Sequence, residues 1–220
     1  MELLAFLRTQ AHANRLANHR LHAAMRALSR EDYEAPRTSF FPSLAKTLEH
    51  ILAVDLYYLA ALRGEGDAER QWAAAPKGVA FATIAAAQAI SDLRFIDHVD
   101  ALVAPMLDEI VDLDRGNGRI QRERRGHVIA HLLNHQVHHR GQAHAMLAGT
   151  RVKPPQLDEF YCANEAKLRA ADAQANSVAS LQPSARMSSA RRCASLGIRN
   201  SSSCGAATAV PASIACAWPR

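Results

Sequence analysis

Residues 131–147 read HLLNHQVHHRGQAHAML, and the interpretation of the whole chain starts from this stretch. Its apolar side chains recur at intervals of three and four, as they do on one face of an α-helix, and no proline interrupts them. The pattern predicts a helix over residues 122–148 that ends at Gly149. Six of the eleven histidines of the chain lie within residues 127–144. This helix therefore combines an apolar face with a high density of imidazole rings.

The spacing of these histidines suggests a metal site. His127, His131, His135 and His139 are each four residues apart, so neighbouring pairs share a helix face and could reach one ion. On a helical wheel of about 100° per residue, His135 and His139 border the apolar face, whereas His127 and His138 point to solvent. A divalent ion shared by His135 and His139 would satisfy both rings, since an unpaired buried nitrogen costs about 1–3 kcal/mol. The alternative is a solvated helix with one or two histidines bonded to carbonyl groups, because HxxxH pairs are common by chance.

A third ligand has to come from another helix. Ser43 is a suitable N-cap and Gly64 a suitable C-terminal stop, which predicts a second helix over residues 44–63. His50 and Asp55 are its candidate ligands, and periodicity favours Asp55, which falls near the middle of the apolar face. The sequence contains neither ExxH nor HExxH, which argues against di-iron carboxylate and zincin chemistry.

The remaining elements complete an all-α fold. Helical periodicity continues over residues 2–29 and 80–104, with a polar loop over 65–79. An Asn-Gly pair within residues 106–121 predicts a short hairpin-like insertion before the histidine-rich helix. A short fifth helix is predicted over residues 157–173. Four long amphipathic helices with little strand signal predict a four-helix bundle.

The C-terminal segment has a different composition. Residues 176–220 contain ten Ser, ten Ala and five Arg but no acidic residue, and they show no apolar periodicity. We predict a bundle domain over residues 1–175 followed by a disordered or non-native tail, of the kind that out-of-frame translation of a GC-rich gene would produce. The tail accounts for the net charge of +5, since residues 1–175 hold 21 basic and 21 acidic side chains.

Several functional classes are disfavoured by composition. The electrically neutral bundle and the lack of a known DNA-binding motif argue against a nucleic-acid partner. The absence of a CxxC pair excludes zinc ribbons and thioredoxin motifs. No apolar run approaches the roughly 18 residues that a membrane span requires, so we expect no membrane partner. The first residues, MELLAFLRTQAHANR, lack the basic start of a secretory signal, which predicts a cytoplasmic protein.

Three segments carry a resemblance to a known family. The histidine-rich stretch resembles the fourth-helix signature of the DinB/YfiT-like family, commonly N-H-x-x-H-H-R-G-Q, which here is NHQVHHRGQ. The segment SLAKTLEHILAVDLYYLAAL, residues 43–62, is similar to the second-helix signature, and ANRLANHRL, residues 13–21, also fits. The resemblance covers about residues 1–170. One departure is Glu49, where the family pattern suggests Asn.

The resemblance implies a four-helix bundle, a homodimer and a divalent metal ion, either zinc, nickel or iron. The ligands that it implies are His50, His135 and His139. This set agrees with the helical wheel on the fourth helix but conflicts with it on the second, where the wheel favours Asp55. Asp55 is kept as a fourth ligand or as a neighbour of the ligands, and Arg140 and Gln142 are kept as residues that could contact a ligand or a substrate.

The resemblance also implies a range of activities. Some members resemble metal-dependent thiol transferases and others resemble hydrolases. We therefore expect a metal-dependent transferase or hydrolase of a small molecule, with a low-molecular-weight thiol as the expected partner. An ion with three imidazole ligands and an open position lowers the pKa of bound water or stabilises a thiolate. The alternative is a non-enzymatic metal-binding module linked to stress, as the family's damage-inducible name suggests. No catalytic side chain is assigned.

Truncation after Ala175 tests the predicted domain boundary. Because residues 176–220 lack apolar periodicity, we expect the shortened chain to keep its metal content and to melt within about 2 °C of the full chain, equivalent to less than ~1 kcal/mol. Calorimetry and elemental analysis measure both quantities. A markedly lower melting temperature would mean that the tail packs on the bundle.

Overall fold

The computed structural model describes residues 2–66, 68–171 and 174, and the tail predicted over 176–220 lies outside them. Four of its helices are long. The helices and strands are α1 Leu3–Met25, α2 Arg30–Glu34, α3 Leu44–Arg63, α4 Ala68–Ala74, α5 Phe81–Asp100, β1 Ile110–Asp114, β2 Ile120–Arg124 and α6 Arg125–Ala148. Short 3₁₀ turns occupy Ala104–Asp108 and Ala163–Glu165.

The long helices form the predicted four-helix bundle. Helix α1 packs against α5 and α6, and α3 packs against the same two helices, so α1 and α3 lie at opposite corners. Each helix directs its apolar stripe inward, as amphipathic helices do when their only apolar partners are one another. Completely enclosed side chains include Leu21, Leu52, Ile96, Ile129 and Leu147.

The bounds of α3 agree with the sequence prediction because both of its caps are present. The Ser43 hydroxyl accepts the backbone N–H of Lys46 at 3.2 Å and so satisfies one of the free donors of the first turn. Gly64 ends the helix with a φ of 61°, a left-handed conformation that suits glycine. These caps fix the helix that places His50.

Several element boundaries differ from the prediction. Helix α1 ends at Met25 because Ser29 caps the separate helix α2, its hydroxyl accepting the N–H of Asp32 at 3.1 Å. The polar loop predicted over residues 65–79 was wrong in part, since it contains α4. That helix is too short for periodicity to show, but its Trp72 packs against the apolar core.

The segments that follow α5 and α6 also differ from the sequence prediction. Helix α5 ends at Asp100, four residues before the predicted end, and a 3₁₀ turn follows that contains Pro105. Of the fifth helix predicted over residues 157–173, the described part is α-helical at 166–171, and residue 174 is also helical. Residues before it are held in a loop by α1, where Arg20 donates to the Gln156 carbonyl and to Glu165.

The predicted hairpin is confirmed and is longer than expected. Strands β1 and β2 pair antiparallel from Ile110 opposite Arg124 to Asp114 opposite Ile120. Val111 and Leu113, two residues apart in β1, both face the core. The turn has a positive φ at Gly116, Asn117 and Gly118. Because β2 extends to Arg124, helix α6 begins three residues later than the sequence predicted.

A buried polar cluster joins all four long helices at the centre of the bundle. We call it the central polar cluster, and its members are Asn14 and Asn18 of α1, Asp55 of α3, Gln88 and Asp92 of α5, and Gln136 and Arg140 of α6. The Arg140 guanidinium donates to the Oδ1 atoms of Asn14 and Asn18 at 2.6 and 3.0 Å. Gln88 donates to Asp55 Oδ2 at 2.6 Å and to Asp92 Oδ1 at 3.0 Å, and Gln136 also donates to Asp55 Oδ2.

This cluster sets the rotation of α6. Gln136 directly follows His135, and Arg140 directly follows His139. Gln136 and Arg140 are four residues apart and share one face of the helix, and the two histidines share the neighbouring face. Because Gln136 and Arg140 are hydrogen-bonded at the bundle centre, His135 and His139 are turned towards the groove that α6 forms with α3.

The two carboxyl groups of the cluster favour protonation. Burial raises the pKa of Asp55 well above its usual value, and the neighbouring Asp92 raises it further. Burial likewise raises the pKa of Asp92 to about 6. Asp55 Oδ1 has no hydrogen-bond partner among the described residues, whereas Oδ2 accepts two amide N–H groups. We therefore expect Asp55 to keep its proton to a higher pH than an exposed aspartate does.

Substitution Asp55→Asn tests that expectation. An acid whose pKa is raised on folding costs stability as pH rises from its unfolded value towards its folded value. The free energy of unfolding of the wild type should therefore fall, relative to Asp55→Asn, by about 1.4 kcal/mol for each pH unit above ~4 until Asp55 ionises. Urea unfolding at several pH values between 5 and 8 measures the difference. The exposed Asp112→Asn should run parallel to the wild type, and parallel curves for Asp55→Asn would contradict the expectation.

Candidate metal centre

Three histidines from two helices meet in the groove between α3 and α6. The ring centroid of His50 lies 5.0 Å from that of His135 and 4.6 Å from that of His139, and those of His135 and His139 are 4.3 Å apart. One ligand atom from each ring lies within 4.8 Å of the others. The structure therefore brings together the set that the family resemblance implied.

The closest approach in this group is between two nitrogen atoms. His50 Nε2 and His135 Nε2 are 3.0 Å apart. Metal–imidazole bonds of about 2.0–2.1 Å place two ligand nitrogens of one ion roughly 3–3.4 Å apart. The two rings thus already have nearly the separation that a shared ion requires.

A neighbouring amide orients the third ring. His139 Nδ1 and Gln142 Oε1 are 2.8 Å apart, and an amide oxygen can only accept, so Nδ1 carries the proton. The Nε2 atom of His139 is then the nitrogen with the lone pair. The amide of Gln142 donates in turn to His138 Nε2 at 3.2 Å. Gln142 therefore fixes the tautomer of a candidate ligand, as the partners of metal-bound histidines commonly do.

Burial keeps the three imidazoles neutral. It lowers the pKa of His50 to about 3, with a smaller contribution from His139, and the pKa of His135 to about 2, with contributions from the neighbouring histidines. Burial also lowers the pKa of His139, against the hydrogen bond that its Nδ1–H donates to Gln142, which raises it. At pH 7 all three rings offer lone pairs.

The donor set fits a divalent ion of borderline softness. Three neutral imidazoles suit zinc, nickel or iron(II), and the described residues add no carboxylate to the group. One feature departs from the usual pattern: His135 Nδ1 is buried and has no hydrogen-bond partner among the described residues.

Aromatic side chains enclose one side of the histidines. The Phe41 ring lies 4.3 Å from the ring of His50 at an interplanar angle of 32°, and 5.5 Å from that of His139. Trp72 of α4 meets His50 edge-on at 6.0 Å. Sequence reasoning missed both residues, because Phe41 precedes α3 and Trp72 lies in a segment that shows no periodicity.

The hairpin approaches the other side. Tyr58 is buried, and its ring lies 5.0 Å from that of His131, which lies 6.3 Å from that of His135. Arg115, from the hairpin turn, donates to the Tyr58 hydroxyl at 3.1 Å. The hairpin therefore fixes the aromatic neighbours of the histidine group.

The other predicted site residues lie as follows. Asp55 and Arg140 belong to the central polar cluster, and Asp55 accepts hydrogen bonds from Gln88 and Gln136 rather than from a histidine. Burial lowers the pKa of Arg140 to about 10, opposed by the charges of Asp92 and Asp55, so it stays a cation. His127 and His138 are exposed, as the helical wheel predicted.

Comparison with protein families assigns the chain. The model of the DinB family matches residues 5–172. The chain belongs to the DinB family. The match covers the four helices of the bundle and the histidine group, and the DinB resemblance of the sequence is confirmed. A search of curated proteins finds no match. Among the described residues, no helix is both long and apolar enough to span a lipid bilayer.

Alanine substitutions test the candidate ligands. His50→Ala, His135→Ala and His139→Ala should each lower metal content at least about tenfold after dialysis, because each removes one of three converging donors. His127→Ala and His138→Ala are matched controls on the same helix and should bind metal like the wild type. Elemental analysis by mass spectrometry measures the content, and circular dichroism confirms the fold.

Substitutions at His50 and Asp55 distinguish the two residues that the sequence offers as the third ligand. Asp55→Ala should keep its metal if it folds, and Asp55→Asn provides a milder variant with the same expectation. Loss of metal from Asp55→Asn together with full metal content in His50→Ala would overturn the three-histidine assignment.

Proposed function

We propose that this DinB family protein binds a divalent metal ion through His50, His135 and His139 and uses it to join a low-molecular-weight thiol to a small electrophilic molecule. The observation that supports this proposal is the 3.0 Å approach of His50 Nε2 and His135 Nε2, with the third ring oriented by Gln142. Three protein ligands, rather than four, are typical of catalytic metal sites, which keep a coordination position open.

The surrounding residues suit such a reaction. A bound divalent ion would lower the pKa of a thiol or a water molecule in the open position. The neutral histidines supply no competing protons, since burial holds the pKa values of His50 and His135 at about 3 and 2. Phe41 and Trp72 offer an apolar surface beside the ligands, where the body of a substrate could lie away from water.

In the proposed transfer, the thiol sulfur attacks an electrophilic carbon of the second substrate. The thiol proton goes to solvent, the new C–S bond takes the sulfur electron pair, and the leaving group departs with the electrons of its own bond. Hydrolysis would use the same position for water. The alternative is a metal-binding module without catalysis, for which the aromatic side chains beside the histidines would serve packing alone.

Two further expectations stay predictions. The family resemblance implies a homodimer, and the exposed apolar side chains of Phe6, Val137 and Tyr161 along a groove of about 600 Å³ between α1 and α6 are compatible with a partner surface. The neutral charge of residues 1–175 continues to argue against nucleic acid as a partner.

Activity measurements test the function. Metal-stripped protein is reloaded with zinc, nickel or iron(II) and mixed with cysteine or glutathione and a chromogenic aryl halide, whose release of halide and formation of thioether are followed by absorbance. We expect a metal-dependent rate that falls at least about 100-fold in His135→Ala, because the ion that lowers the thiol pKa is lost. His127→Ala, at an exposed position of the same helix, is the control. Full metal content without any metal-dependent transfer or hydrolysis across a panel of electrophiles and esters would favour the non-enzymatic alternative.

A further inference from the structure

A second groove lies on the opposite side of the bundle. It runs between α1 and α5 and has a volume of about 440 Å³. The histidine group lies between α3 and α6, the other two corners of the bundle, so the two sites do not share lining residues. We call this second site the α1–α5 groove.

One wall of the α1–α5 groove carries basic side chains, and the other carries small apolar side chains. The α1 wall presents Arg15, His19, His22 and Arg26. Their spacing of four, three and four residues places them on one helix face. The α5 wall consists of Ala82, Ala85, Ala86 and Ala89, with Phe81 at its end. Alanine side chains leave room for a flat or slender molecule to lie against the helix.

The positive charge of this groove is poorly balanced. Asp92 is the one acidic side chain that lines the groove among the described residues, and it also accepts hydrogen bonds from Asn18 and Gln88 in the central polar cluster. The ion pairs of the described residues include neither Arg26 nor His19. Within the part of the chain that the structure describes, the end of the groove formed by Arg26 and His19 therefore lacks a counter-ion.

The same end has an aromatic floor. His22 is buried and meets the edge of Phe81 with ring centroids 5.8 Å apart, and Phe81 meets Tyr33 edge-on at 5.5 Å. Burial, with smaller contributions from the neighbouring side chains of Arg140, His19 and Arg26, lowers the pKa of His22 to about 4, so this ring is neutral and can donate one N–H. This end of the groove thus places the ring of Phe81 and the neutral donor of His22 beside the side chains of Arg26 and His19.

We propose that the α1–α5 groove binds a small organic oxyanion, with its phosphate or carboxylate group at Arg26, His19 and His22 and its flat apolar part against the alanines of α5. Arginine suits such a group because its planar N–H groups match two oxygens at once. The apolar contact with α5 distinguishes this ligand from a free inorganic ion. The site is independent of the metal centre and does not rest on the proposed function.

Calorimetric titration of the full, metal-loaded chain tests the groove. The probes are phenyl phosphate, benzoate and inorganic phosphate, and the first two distinguish a phosphate from a carboxylate ligand. We expect at least one aryl anion to bind more tightly than inorganic phosphate, with an affinity that falls as salt rises. Arg26→Glu should weaken binding at least about tenfold, whereas Arg30→Glu, an exposed charge reversal outside the groove, should not.

A steric variant tests the alanine wall without changing charge. Ala86→Leu fills the groove and should weaken the aryl anion at least about tenfold, while Ala23→Leu, at an exposed position of α1 outside the groove, should have no effect. Both substitutions suit a helix, so folding is preserved. His135→Ala should bind the aryl anion like the wild type, because the groove is separate from the metal centre.

Four results would overturn the proposal. The first is that neither aryl anion binds, and the second is that Arg26→Glu and Ala86→Leu bind as tightly as the wild type. The others are loss of binding in His135→Ala and a change of oligomeric state in Arg26→Glu. The last result, measured by light scattering, would identify the groove as an interface between copies of the chain instead of a ligand site.

Discussion

The candidate metal centre depends on the hydrogen bonds that hold Arg140 and Gln136 at the centre of the bundle. A charged guanidinium in a helical core is tolerated only when its donors are satisfied, here by the side chains of Asn14 and Asn18 of α1. A hydrogen bond to a charged group contributes about 1.5–3 kcal/mol, so rotation of α6 about its axis would lose the stability that these two bonds provide. Since His135 and His139 each precede a member of the cluster by one residue, that restriction also sets where the imidazoles point.

The ring of His135 is held by packing rather than by a hydrogen bond from its Nδ1 atom to a described residue. His135 is buried, its Nδ1 atom has no partner among the described residues, and its Nε2 atom faces another imidazole at 3.0 Å. In the absence of an ion, at least one of those two facing nitrogens must carry a proton if they are to attract each other. A shared cation removes this conflict, because both lone pairs then point at positive charge. Metal binding would therefore stabilise the fold.

The sequence predicted most of the fold and the α6 part of the site, and the errors have identifiable causes. Helix α3 was predicted to the residue because Ser43 and Gly64 are strong local signals. The helical wheel favoured Asp55 over His50 as a ligand, since it finds residues that point to the bundle centre. Asp55 does point there, but the centre holds the polar cluster, whereas the histidines meet in the groove between two helices. Helix α4 was missed because seven residues are too few for a periodic pattern to emerge.

The two buried polar systems respond to pH with opposite signs. Histidines whose pKa is lowered on folding, such as His50 and His135, take up protons on unfolding, so they reduce stability as pH falls below about 6.5. Asp55 and Asp92, whose pKa values are raised, hold protons more tightly when folded, so they reduce stability as pH rises above about 4. Between those limits the two effects oppose each other in the metal-free chain. An ion bound to the histidines would steepen only the loss of stability at acid pH, because protons would have to displace it before the rings could titrate, whereas Asp55 and Asp92 are not part of the histidine group.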